Sequence, residues 1–103
     1  MTPTQRTLAE MRKRGYLAAV TERWNAFARI RQDLWGFCDV LCLGDSEVVA
    51  VQCTSADNVS SRIRKIEDSE HLVAVRKAGV RILVHGWRKG SNGRYSLREV
   101  DVS

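Results

Sequence analysis

Several residue types and patterns are scarce in this chain. It has one proline, Pro3, and three cysteines, Cys38, Cys42 and Cys53. The cysteines form neither a CxxC pair nor the Cys/His spacing of a zinc site, so they read as buried, reduced thiols. No apolar run is long enough to span a bilayer, and no membrane partner is expected. The opening MTPTQRTLAEMRKRG lacks the apolar centre of a secretory signal. These absences point to the cytoplasm of a bacterial or phage-infected cell. No repeat, low-complexity tract or linker divides residues 1–103, which read as one domain. Lysine and arginine are also missing from Gln32 to Ser61, although the chain has 17 of them and a net charge of +5. That window holds Asp33, Asp39, Asp45, Glu47 and Asp57 instead. The sequence thus describes an acidic patch in a basic surround. A basic surface attracts polyanions, and 13 of the 17 cations are arginine, whose planar fork suits phosphate. Nucleic acid, DNA above all, is the partner this charge pattern implies. Simple solvation of the surface would also account for it.

The local signals alternate between helix and strand. Thr2-Pro3-Thr4-Gln5 has the form of a helix start, with a Thr cap, Pro at the first position and Gln at the third. Leu8 and Met11 would share a face, and Gly15 would end the helix. Tyr16–Trp24 is expected as a first strand, with NAFARIRQDLWG its tail running into a loop. Gly36–Leu43 and Glu47–Thr54 are expected as strands. DNVSSRIRKIED spaces Val59, Ile63 and Ile66 at helical intervals. Ser69 is placed to cap a further helix carrying Leu72 and Val75 and ending at Gly79. VRILVHGW is an apolar strand, KGSNG a hairpin turn, and Arg94–Val102 an edge strand. The apolar phase of that edge strand slips between Leu97 and Val100, the mark of a bulge. The order predicts an α/β sandwich around a mixed sheet of about five strands.

The two central strands carry the unusual residues. With Asp45-Ser46 as a tight turn, paired positions sum to 91, and Asp39 falls opposite Gln52. Opposed residues share a face, and Thr54, two residues on, joins them. A buried carboxylate is costly unless something pairs with it. Asp39, the Gln52 side-chain oxygen and a nearby backbone carbonyl, assigned to Cys53, would suit a hard cation such as Mg²⁺ or Mn²⁺. Backbone N–H groups at the strand rim would satisfy Asp39 as well.

An aspartate on one strand, a short turn and an apolar strand ending in acid-x-lysine is the hallmark of the PD-(D/E)XK nuclease superfamily. The chain resembles its small members, the archaeal-type Holliday junction resolvases and related phage nucleases, over roughly residues 4–100. That resemblance implies a restriction-endonuclease-like three-layer sandwich, with helices on both sides of the sheet. It also implies Mg²⁺- or Mn²⁺-dependent phosphodiester hydrolysis of DNA. Asp39 matches the metal-binding aspartate, Gln52 stands at the second acid and Thr54 at the lysine. The basic role would then move to Lys65 or Arg62 on the following helix. Glu10, Glu22 and Asp33 are the candidates for an outer ligand. A catalytically dead domain of the same fold, binding nucleic acid or protein, is the alternative that Gln52 and Thr54 favour.

Other features admit two readings each. Trp87 with Arg88, Lys89 and Arg94 would stack on and neutralise nucleic acid, or form a solvated hairpin whose Trp covers the sheet. His71 and His85 read as structural or surface residues. Trp24, Phe27 and Trp35 suit a core or a homodimer contact.

Overall fold

A computed structural model describes all residues, Met1–Ser103. Helix α1 spans Pro3–Lys13 and begins as its sequence requires. The Thr2 hydroxyl accepts the Gln5 N–H, and the Gln5 side chain accepts the Thr2 N–H, closing a capping box. Strand β1, Leu17–Val20, follows. Next comes a small hairpin of β2, Arg23–Asn25, and β3, Ile30–Gln32. The expected continuous strand Tyr16–Trp24 is therefore two strands in two sheets, and NAFARIRQ is a turn and a strand rather than a loop.

Strands β4, Val40–Gly44, and β5, Glu47–Ser55, form the central hairpin. Asp45 and Ser46 both have positive φ, 48° and 60°, the geometry of a tight turn that matches strand twist. The register is the expected one, Gly44 opposite Glu47 through Val40 opposite Val51. Strand β4 starts later than its apolar run suggests. Trp35 and Gly36 both take left-handed conformations, and Leu34 bridges back to Cys38.

After a 3₁₀ turn, Ala56–Asn58, come α2, Val59–Glu67, and α3, Leu72–Lys77. Ser69 does not cap α3. It donates to the Trp35 carbonyl and accepts the His71 N–H, tying the start of α3 to the loop before β4. Strands β6, Arg81–Lys89, and β7, Tyr95–Asp101, complete a five-stranded mixed sheet in the order β1-β4-β5-β6-β7. Only β5 and β6 are parallel, joined through α2 and α3.

The β6–β7 register runs unbroken from Lys89–Tyr95 to Leu83–Asp101, so β7 has no bulge. Its apolar phase changes because the sheet is covered on both faces. Val100 packs with the cluster on the α2/α3 face, while Leu97 pairs with Trp87 on the α1 face. Alternation along β5 divides the two cores. Ala50 joins Val59, Ile66, Leu72 and Val75 on one side. Val49, Val51 and Cys53 join Met11 and Leu83 on the other. Central strands buried on both faces read as continuous apolar runs, which makes a buried Gln52 and Thr54 conspicuous. Helices thus lie on both sides of the sheet, and no helix is long and apolar enough to cross a membrane.

Candidate metal centre

Asp39 lies just before β4, one step beyond the Val40–Val51 pair, and the register carries it opposite Gln52. It is 4% exposed and Gln52 is 2% exposed. One Asp39 oxygen, Oδ2, accepts the Gln52 Nε2–H at 2.7 Å and the Cys53 backbone N–H at 2.8 Å. The Gln52 amide also lies 3.4 Å from the Cys53 carbonyl. Asp39, the Gln52 amide and the Cys53 carbonyl therefore meet at one point. Gln52 Oε1 is fully buried with no hydrogen-bond partner. Buried polar atoms are almost always paired, so this atom points to a missing partner. A half-turn of the amide would set Oε1 beside Asp39 and the Cys53 carbonyl.

Two further carboxylates complete the cluster. Glu22, between β1 and β2, and Asp33, after β3, bring oxygen atoms within 4.8 Å of one another and of Asp39. Burial raises the Asp39 carboxyl from its ordinary value to about 8, and hydrogen bonding and repulsion from Asp33 add to the rise, while the Cys53 N–H opposes it. Lys65, on α2, reaches across with Nζ 2.5 Å from Asp33 Oδ2. Lys65 is thus in contact with the acid cluster. Thr54, at the strand position of that role, is buried on the same face of β5 as Gln52. Arg62 is half-buried one turn before Lys65 on α2. Burial pushes the Cys53 thiol up, so it stays protonated and offers its backbone rather than its sulfur.

Asp33 and Lys65 open onto a cleft of about 680 Å³, whose cationic rim includes Arg23 and Arg31 of the small hairpin. Those two arginines were not among the sequence candidates. They sit on Arg23-Trp24-Asn25 and Ile30-Arg31-Gln32, which pair across the four-residue turn AFAR, and a hairpin reading of that stretch is the signal that could have found them.

Other candidates lie elsewhere. Glu10 pairs with Arg14 at 2.8 Å and takes no part in the cluster. Trp87 and Arg94 line a separate cavity of about 580 Å³ against α1, together with Arg6, whose guanidinium stacks on Tyr95. Trp87 is half-buried and donates its indole N–H to Thr7 Oγ1 at 3.0 Å. Arg88 is exposed and pairs with Asp57, and Lys89 is exposed. His85 is fully buried between Thr7 at 3.0 Å and Glu99 at 2.7 Å. Burial lowers its pKa despite the Glu99 contact, which keeps the ring neutral. No family model and no curated protein matches the chain.

Proposed function

We propose that this chain is a metal-dependent DNA endonuclease of the PD-(D/E)XK kind, acting on branched or nicked DNA with Mg²⁺ or Mn²⁺. The observation that carries this reading is the convergence of Glu22, Asp33 and Asp39, with Asp39 bonded to a buried Gln52 whose Oε1 has no partner. Every donor there is oxygen, the set a hard cation prefers. The carboxylates of Asp39, Asp33 and Glu22, the Gln52 amide oxygen and the Cys53 carbonyl would hold the ion. Bound there, it would polarise a scissile phosphate and lower the pKa of a water.

The protein's own groups divide the remaining work. The Cys53 N–H fixes one Asp39 oxygen. Lys65 offsets the charge of Asp33 and presents a cation at the cleft, where charge develops on the phosphate. Arg23 and Arg31 offer phosphate contacts along the rim. The test is a cleavage assay on linear, flapped and four-way DNA with Mg²⁺ or Mn²⁺, comparing wild type with Asp39→Ala. Cleavage by the wild type alone supports the proposal; no cleavage of any substrate by a folded, cation-binding protein removes it.

The second reading, a binding domain that has lost catalysis, draws support from Thr54 in the lysine's strand position and from the neutral Gln52. It predicts salt-sensitive DNA binding, equal in wild type and Asp39→Ala, without cleavage.

A further inference from the structure

The β2–β3 hairpin is the most exposed apolar element of the molecule. Phe27, at its tip, is 103% exposed and Trp24 is 59% exposed, and half of Ile30 is open. A two-stranded ribbon has too little area to bury such side chains against itself. The turn nevertheless holds them in place. Asn25 Oδ1 accepts the N–H groups of Phe27 and Ala28 at 3.0 and 3.1 Å, and Asn25 Nδ2 donates to Gln32 at 3.2 Å. The aromatics are therefore presented on an ordered turn.

The charge around them selects the occupant. Residues 23–32 contain three arginines, Arg23, Arg29 and Arg31, and no acid; Arg31 reaches Glu22, just before β2, at 3.8 Å and remains largely exposed. Trp24 lies directly opposite Arg31, so indole and guanidinium share one face. A flat apolar ring beside a fixed cation fits a nucleotide, with the base on the ring and the phosphate on the arginine. A second copy of the chain fits poorly, because an isologous pairing sets these arginines against themselves. The hairpin also leads straight into the cleft. Asp33 follows β3 directly, and Arg23, Arg31 and Gln32 line the same cavity as Asp33 and Lys65.

We propose that this hairpin is a base-stacking element, and that the preferred substrate is DNA with unpaired nucleotides beside a duplex, as at a flap or junction. The proposal rests on the DNA reading given above. Bases inside a duplex are stacked on one another, whereas an unpaired base offers its face to Trp24 or Phe27.

The test is fluorescence anisotropy of labelled single-stranded, blunt duplex and flapped DNA, in Ca²⁺ rather than Mg²⁺ to suppress cleavage. Trp24→Ala and Phe27→Ala should each weaken single-strand and flap binding about five- to 150-fold, the range for losing one stacked base. Blunt duplex binding should stay as in wild type, and Phe27→Trp should keep flap affinity. Arg29→Ala should lower the slope of log affinity against log salt by about 0.7–0.9 without changing the preference for flaps. Both aromatics lie outside the two cores, so unchanged circular dichroism melts will confirm folding.

Flap affinity unaffected by both alanine variants overturns the proposal. So does aromatic-dependent binding to phosphatidylserine vesicles, or an aromatic-dependent dimer, in a protein whose DNA affinity ignores these residues. Stacking intact in a protein without cation binding or cleavage removes the nuclease reading and leaves this proposal standing. Cleavage intact in hairpin variants that bind flaps normally does the reverse.

Discussion

Changing Gln52 to glutamate tests the acid cluster most directly. The substitution replaces the amide that donates to Asp39 Oδ2 at 2.7 Å with a fourth carboxyl group. Burial already keeps a proton on Asp39 at pH 7 in the metal-free protein, and the carboxyl group introduced at position 52, buried against it, will hold a second one. The lost amide-to-carboxyl bond was worth about 0.5–1.5 kcal/mol. A bond between the two carboxyl groups offsets part of that, leaving a net destabilisation below about 1 kcal/mol without metal. With a divalent cation the sign reverses. At an effective dielectric of about 20, a new negative charge attracts a doubly charged ion about 4 Å away by about 8 kcal/mol, and repels Asp39 at a similar distance by about 4 kcal/mol. Loss of the amide oxygen and the reluctant dehydration of Mg²⁺ consume part of the remainder. A gain of about 1.4–2.8 kcal/mol should survive, tenfold to 100-fold in affinity. Binding must also expel this second proton, so affinity should rise with pH and about one proton more than in wild type should be released. Calorimetry of Mn²⁺ and Mg²⁺ binding in two buffers of different ionisation enthalpy reads both quantities. A folded Gln52→Glu protein with wild-type affinity and no extra proton would refute the shared cation site. Adding Asp39→Ala must abolish the gain.

Further outcomes follow from the same geometry. Asp39 holds a proton up to about pH 8 when folded, against its ordinary 3.8. The metal-free protein should therefore lose stability as pH rises from about 4 to 8, because the folded state binds the extra proton there. Thermal melts across that window should show this slope flattened by Asp39→Asn and relieved by Mg²⁺; an unchanged slope in the variant assigns it elsewhere. Lys65→Ala should cost only about 1 kcal/mol of stability, since the lysine is partly exposed. If Lys65 stabilises the reacting phosphate, cleavage should still fall by about 100-fold or more, and equal cleavage by the variant would remove that role. Thr7→Val strips a partner from both the Trp87 N–H and His85 Nδ1. It should cost about 2–4 kcal/mol in urea unfolding, and a loss below 1 kcal/mol would mean the network is hydrated. Gly86→Ala sets a methyl group against the Val59 side chain and the Ala56 backbone, and should destabilise by about 1–3 kcal/mol in the same assay.

The sheet was legible where period and turn agreed. Asp45-Ser46 set the register of β4 and β5, and period-two alternation then assigned Asp39 and Gln52 to one face. The β2–β3 hairpin was hidden because its apolar residues point to solvent and so give no amphipathic pattern. The late start of β4 was hidden for a different reason. Trp35 sits at φ 60°, a conformation bulky residues rarely adopt, so no sequence rule would place a break there. The apparent bulge in β7 is a change of face in an unbroken register, because both faces of the sheet are covered and each takes an apolar residue of this strand.

The acid cluster shows how far local patterns reach. Asp39 and Gln52 belong to one hairpin, so local geometry brought them together. Glu22 and Asp33 come from segments flanking a separate hairpin, and only the tertiary fold carries their carboxylates to Asp39. Lys65 and Arg62 are both cations of α2, and Lys65 is the one that contacts Asp33. The charges around the cluster bear on the glutamine. With every carboxylate ionised, Glu22, Asp33 and Asp39 carry three negative charges, while Lys65 at Asp33 and Arg31 at Glu22 return two. If the cluster holds a divalent ion as proposed, a glutamate at position 52 would add a fourth carboxyl group, and the metal-free protein would then have to take up a further proton. A neutral oxygen donor at Gln52 lowers that electrostatic cost of folding without the ion.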